Sequence, residues 1–124
     1  EKGGRLTGVD LYGVPYTPVE VDIKVDTPQK RFDCGDIGLF CLHTPGHTPG
    51  SMSIYVDIGG KRVLFGGDIH GPFDPEWGSD IGEWRKSMKK LLELDADILC
   101  EGHFGVYSPR EEVKKYIERY LEWI

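Results

Sequence analysis

From Val19 the chain alternates apolar and charged residues, Val19-Glu20-Val21-Asp22-Ile23-Lys24-Val25, which is the period of a half-buried strand. Asp33-Cys34-Gly35-Asp36 reads as a turn. Two more apolar runs follow, Ile37–Leu42 and Ser51–Val56, and the Gly59-Gly60 pair marks a hairpin into Arg62–Phe65. This spacing predicts a mostly antiparallel sheet. Between Ile69 and Gly78, two prolines and two glycines preclude regular structure. The period then becomes helical: Ile81, Trp84, Met88, Leu91 and Leu92 share one face, and Asp80 with Glu83 forms a capping box opening a helix to about Leu94. A short strand, Ile98–Cys100, precedes a second capping box at Ser108 and Glu111, with Pro109 at the first helical position. Val113, Tyr116, Ile117, Tyr120, Leu121 and Ile124 then line the face of a last helix. Residues 1–18 are punctuated by Gly3-Gly4, Tyr12-Gly13 and Pro15-Tyr16-Thr17-Pro18, so they are expected to be a leader or linker, with the structured unit at 19–124.

Composition narrows the partners. The chain has 124 residues, which suits a single domain, and its apolar content of 39% is enough for a core. A net charge of −6 argues against a nucleic-acid surface. Cys34, Cys41 and Cys100 form no Cys-x-x-Cys pair, so a reduced, cytoplasmic setting is expected instead of a disulfide scaffold. No apolar run approaches the roughly 20 residues needed to cross a bilayer.

Three apolar strands stop at small-residue turns bearing a metal-capable side chain. Leu39–Leu42 runs into Thr44-Pro45-Gly46-His47-Thr48-Pro49-Gly50-Ser51, Arg62–Phe65 into Gly66-Gly67-Asp68, and Asp97–Cys100 into Glu101-Gly102-His103. Proline fixes φ and glycine admits positive φ, so each side chain is presented from a constrained turn. Imidazole and carboxylate suit a zinc-type Lewis acid. His70, two residues past Asp68, is expected as an exposed loop histidine, with lining of a substrate cleft as the alternative. Phe73 and Trp77, in the same loop, are candidates for an apolar pocket wall. His43 is expected to pack or to support the site, Cys100 to be a small buried hydrophobe, and Lys86, Lys89 and Lys90 to form a solvated face.

These motifs, in this order, resemble the second half of the metallo-β-lactamase fold, an αββα sandwich with its metal site along one edge. The resemblance covers residues from about Val19 onward. It implies an α/β fold with a mostly antiparallel sheet, helices on one face, and the other face packed on the first half. It implies His47 on a first metal, Asp68 bridging two metals and His103 on the second, with two zinc ions per complete site and iron or manganese as alternatives. The family's His-x-His-x-Asp-His cluster is absent: the chain has four histidines, His43, His47, His70 and His103, and no two stand two residues apart. The expectation is therefore the C-terminal half of a hydrolase for a small ester, thioester, lactone or similar substrate, inactive alone. Its expected partner is the missing N-terminal half or a second copy of this chain. Two alternatives remain open here: a non-catalytic interaction module keeping remnant ligands, and an iron-dependent redox member.

Overall fold

The computed structural model describes residues 5–6 and 12–124. Among these, β1 (Arg5–Leu6) pairs antiparallel with β2 (Val19–Glu20). A second sheet holds β3 (Gln29–Cys34), β4 (Ile37–His43), β5 (Met52–Ile58), β6 (Lys61–Gly67), β7 (Ile98–Glu101) and β8 (Gly105–Tyr107), side by side in chain order. Every pairing in it is antiparallel except β6 with β7, which run parallel. A parallel pair needs a long crossover, here helix α1 (Ile81–Glu93) and the loop after β6, in which Pro75–Trp77 form a 3-10 turn capped by Asp74 where the prolines and glycines were expected to preclude regular structure. Helix α2 (Arg110–Trp123) follows β8.

This topology positions the site. Because β4 and β6 each run antiparallel to β5, and β7 runs parallel to β6, the C-terminal ends of β4, β6 and β7 lie at one edge of the sheet. The turns bearing His47, Asp68 and His103 leave from those three ends.

Pairing partners share a face, so the register sorts the side chains into rows. Phe40, Tyr55, Leu64, Leu99 and Tyr107 are successive partners across the inner face. They pack with Trp84, Met88 and Leu91 of α1 and Val113, Tyr116 and Ile117 of α2. Leu64, Met88 and Leu99 are 0% exposed, each contributing roughly 1.5–3 kcal/mol by burial. On the outer face two apolar rows cross the sheet: Phe32, Leu39, Val56, Val63 and Ile98, then Cys41, Ile54, Phe65, Cys100 and Val106. No helix covers this side among the described residues. Phe65 is 45% and Val106 67% exposed. Cys100 therefore lies half-buried on the outer face and not in the core.

Several expectations change. The 19–25 alternation yields a strand only at Val19–Glu20, whose described strand partners are Arg5 and Leu6; Ile23 is left 58% exposed. The Asp33–Asp36 turn narrows to Gly35-Asp36, which closes a hairpin that makes 29–34 a strand. Gly59 and Gly60, at φ 58 and 74, form the expected hairpin turn. Asp80 caps α1 by accepting the Glu83 amide at 2.8 Å. Glu83 does not complete the box; its carboxylate takes Lys86 Nζ at 2.6 Å. Ser108 does not cap α2. Pro109, extended at ψ −165, is the cap residue, and its carbonyl accepts the Glu112 and Val113 amides. Lys90 is not simply solvated, since its Nζ donates to Pro28 O at 3.2 Å and reaches His43 O at 3.4 Å. Of the leader signals, Gly3-Gly4 lies outside the described residues, while Tyr12 is 91% and Tyr16 60% exposed. No helix among the described residues is long and apolar enough to cross a membrane.

Candidate metal centre

The turn carrying His47 is tied down from several sides. Gly46 sits at φ 150, and a Cβ there would lie 2.3 Å from Cβ of Trp84, so only glycine lets the turn lie against α1. Its carbonyl accepts the Asp80 amide at 2.9 Å, Ser79 Oγ donates to His47 O at 2.6 Å, and Ser87 Oγ donates to Pro45 O at 2.7 Å. The ring itself is oriented by the main chain: a carbonyl only accepts, so His47 Nδ1–H donates to Pro72 O, at 2.6 Å. In the neutral ring this leaves the lone pair on Nε2.

That nitrogen faces Asp68. His47 Nε2 lies 3.4 Å from Asp68 Oδ2, and His103 Nε2 lies 3.1 Å from Asp68 Oδ1. Each carboxylate oxygen thus meets one imidazole from a different strand end. A carboxylate oxygen and an imidazole lone pair are both acceptors, and their approach becomes favourable only with a proton on the ring or a cation shared between them. The donor set fits a hard-to-borderline divalent cation such as zinc. The set is partial: among the described residues no three His, Cys, Asp or Glu side chains enclose a position for an ion.

Glu101 is the residue sequence reasoning passed over. Its side chain is 0% exposed. Oε2 accepts the backbone amides of His103 and Phe104, each at 2.7 Å, and Oε1 accepts Nδ1–H of His70 at 2.5 Å. Burial pushes its carboxyl up, but the two amides and the His70 ring outweigh that and hold it below the usual carboxylate range. The available signal was an acidic residue ending an apolar strand on the same face as Leu99.

The remaining candidates are placed as follows. His70 is not an exposed loop histidine: its side chain is 11% exposed, because Glu101 draws it inward. Its ring stands edge-on to His103 and Phe104, with centroids 5.3 and 4.6 Å away. Trp77 lies edge-on to His47 at 5.6 Å and is 46% exposed. Phe73 packs against Trp84 at 5.4 Å and supports the core. Trp84 is 2% exposed, and its Nε1–H donates to Ile69 O, which draws this end of the loop inward. A cavity of about 270 Å³ lies beside His47 and Asp68, lined by Thr44, Ser51, Met52 and, from α1, Trp84, Ser87 and Met88. His70, Phe73 and Trp77 do not line it. His43 Nε2–H donates to Pro49 O at 2.8 Å and so braces the His47 turn.

A sequence model of the metallo-beta-lactamase superfamily matches residues 2–103. The chain belongs to the metallo-beta-lactamase superfamily. Among curated superfamily relatives, the hydroxyacylglutathione hydrolase of Hahella chejuensis is 32% identical over 108 residues, which take in 82% of this chain and 41% of that protein. A metallo-beta-lactamase fold-containing protein of Sulfurisphaera tokodaii is 28% identical over 135 residues, 96% of this chain and 49% of its own length. An archaeal superfamily structure from Sulfolobus tokodaii superposes with a TM-score of 0.62 at 26% identity, over 90% of this chain and 46% of that one. An inverting sec-alkylsulfatase from a Pseudomonas species shares the fold, with a TM-score of 0.70 at 20% identity over 82% of this chain and 18% of the sulfatase. The chain spans less than half the length of each of these relatives. The α/β architecture, with helices on one face of a mainly antiparallel sheet, is that of the superfamily.

Proposed function

We propose that this chain is the metal-binding part of a hydrolase that cleaves a small ester, thioester or lactone. Zinc would be held by His47, Asp68 and His103 together with donors from polypeptide outside this chain. The observation that carries the reading is the Asp68 carboxylate, which directs one oxygen to each of two imidazoles at the edge where β4, β6 and β7 end. The thioester option gains support from the 32% identity to the Hahella chejuensis hydroxyacylglutathione hydrolase. When bound, the metal pair supplies an acidified water, with a pKa of about 7 in place of 15.7, and a Lewis acid for the carbonyl oxygen.

The chain's own residues prepare that chemistry. Pro72 O fixes the tautomer that leaves His47 Nε2 available. Asp68 divides its two oxygens between the imidazoles and would offset the charge of a bound cation. The Trp77 indole borders the His47 ring in a T-shaped arrangement. The outer apolar rows fit a covering partner, either the N-terminal half of the same fold or a second copy of this chain, and that partner brings the missing donors. Three free thiols fit a reducing, cytoplasmic setting.

The test is metal analysis and turnover of a thioester, an ester and a lactone by the intact protein. Stoichiometric zinc and hydrolysis of at least one substrate are expected, with both lost in Asp68→Asn and no turnover by the isolated 124-residue chain. Iron with colour would transfer the protein to the redox reading. An intact protein with neither metal nor turnover would leave a non-catalytic module.

A further inference from the structure

Behind the candidate metal centre lies a charged group that the proposed reaction does not use. The Glu101 side chain is fully shielded, and a carboxylate so placed is destabilising unless its oxygens are bonded. Three donors meet it, and they are divided by role: Oε2 takes the amides of His103 and Phe104, Oε1 takes the His70 ring.

We propose that Glu101 is a positioning residue for the metal centre: it holds the turn that carries His103, and it fixes His70 as the Nδ1–H tautomer, so that His70 offers an Nε2 lone pair beside His103. An ionised carboxylate only accepts, so the ring nitrogen 2.5 Å from Oε1 carries the hydrogen. Among the described residues no protein group bonds Nε2 of His70. The ring is held edge-on to its neighbours, 5.3 Å from His103 and 4.6 Å from Phe104 between centroids, which limits its rotation. A carboxylate behind an imidazole orients it and strengthens its other nitrogen as a donor. The His103 arm rests on the metal-centre reading; the His70 arm does not.

Two variants separate the arms. Glu101→Gln keeps one carbonyl oxygen for the His103 and Phe104 amides but turns an NH2 group toward His70, which reverses the ring tautomer. Glu101→Ala removes every bond. In the intact protein, the affinity for zinc alone is measured against a competing chelator, and imidazole tautomers are read by nitrogen NMR above the histidine titration range. The expected result is Nδ1–H at His70 in the wild type and Nε2–H in Glu101→Gln. Zinc affinity is expected to fall about 10- to 100-fold in Glu101→Ala and less in Glu101→Gln. Wild-type affinity in a folded Glu101→Ala, or Nε2–H at His70 in the wild type, overturns the proposal. Should Glu101→Ala not fold, the tautomer in Glu101→Gln decides alone, and an unchanged ring overturns it. A wild type that binds no zinc sinks the metal-centre reading, and the tautomer result then decides the role of Glu101.

Discussion

At Gly102 a Cβ would lie 2.7 Å from Asp68 Oδ1 and 2.9 Å from Gly67 O, so only a bare backbone lets the end of β7 approach Asp68. The Gly102 amide uses that proximity, donating to Gly67 O at 3.0 Å. Gly102→Ala is expected to cost about 1–3 kcal/mol through overpacking and to separate His103 from Asp68. Urea denaturation and zinc titration measure the two effects, and unchanged values in both would contradict this contact. At this scale the sequence was informative where chemistry sits on a constrained turn. His47, Asp68 and His103 each follow an apolar run and neighbour glycine, so each was legible as a presented side chain, while their convergence was implied by the family resemblance and not by any local spacing. Glu101 was not, because a glutamate ending a strand ordinarily reads as exposed. The placement of His70 depends on Glu101, 31 positions away, and no local pattern encodes it.

The strands and helices have one loaded face and one bare face, and paired substitutions distinguish them. Leu99→Ala, on the inner row, is expected to cost about 2–5 kcal/mol. Val106→Ala, exposed on the outer row, is expected to stay within about 0.5 kcal/mol in the isolated chain; equal losses would mean the faces are wrongly assigned. The parallel step is anchored by Asp97, whose carboxylate accepts the Arg62 amide at 2.8 Å and Arg110 Nη2 at 3.0 Å. The Arg62 amide, aided by Arg110 and opposed by partial burial, holds the Asp97 carboxyl below its ordinary value of 3.8. A lowered folded value means that this stabilisation is complete above the unfolded value and fades as pH falls through the folded one. Urea midpoints are therefore expected to fall below about pH 4, less steeply in Asp97→Asn than in the wild type; parallel pH curves would refute the linkage. Elements with their own periodicity, such as α1 and β4 to β6, were readable in advance. β3 was not, because Lys30 and Arg31 interrupt its apolar pattern and pairing with β4 makes it a strand. β8 is only three residues long and exists by pairing with β7.

For the molecule as a whole, the outer rows are the unfinished part. Ten apolar or thiol side chains cross six strands on this face; Phe65 and Val106 are exposed, Val56 is buried and the others are half-buried. Apolar patches on that scale drive association. The isolated chain is expected to sediment as a dimer or larger species, and Phe65→Lys to shift it toward the 14.0 kDa monomer. A monomeric wild type would argue against a partner on this face. The single parallel pairing also orders events in time. The meander from β3 to β6 pairs strands that are neighbours in sequence, two of its three connections being two-residue turns, whereas β7 must wait for the crossover that brings Asp97 to Arg62, 35 positions apart. Long loops close slowly, and the same crossover supplies the groups that hold the His47 turn, so the three side chains come together only once it has docked. Zinc uptake during refolding should accordingly trail strand formation, making a tightly held ion a marker of the final step of maturation.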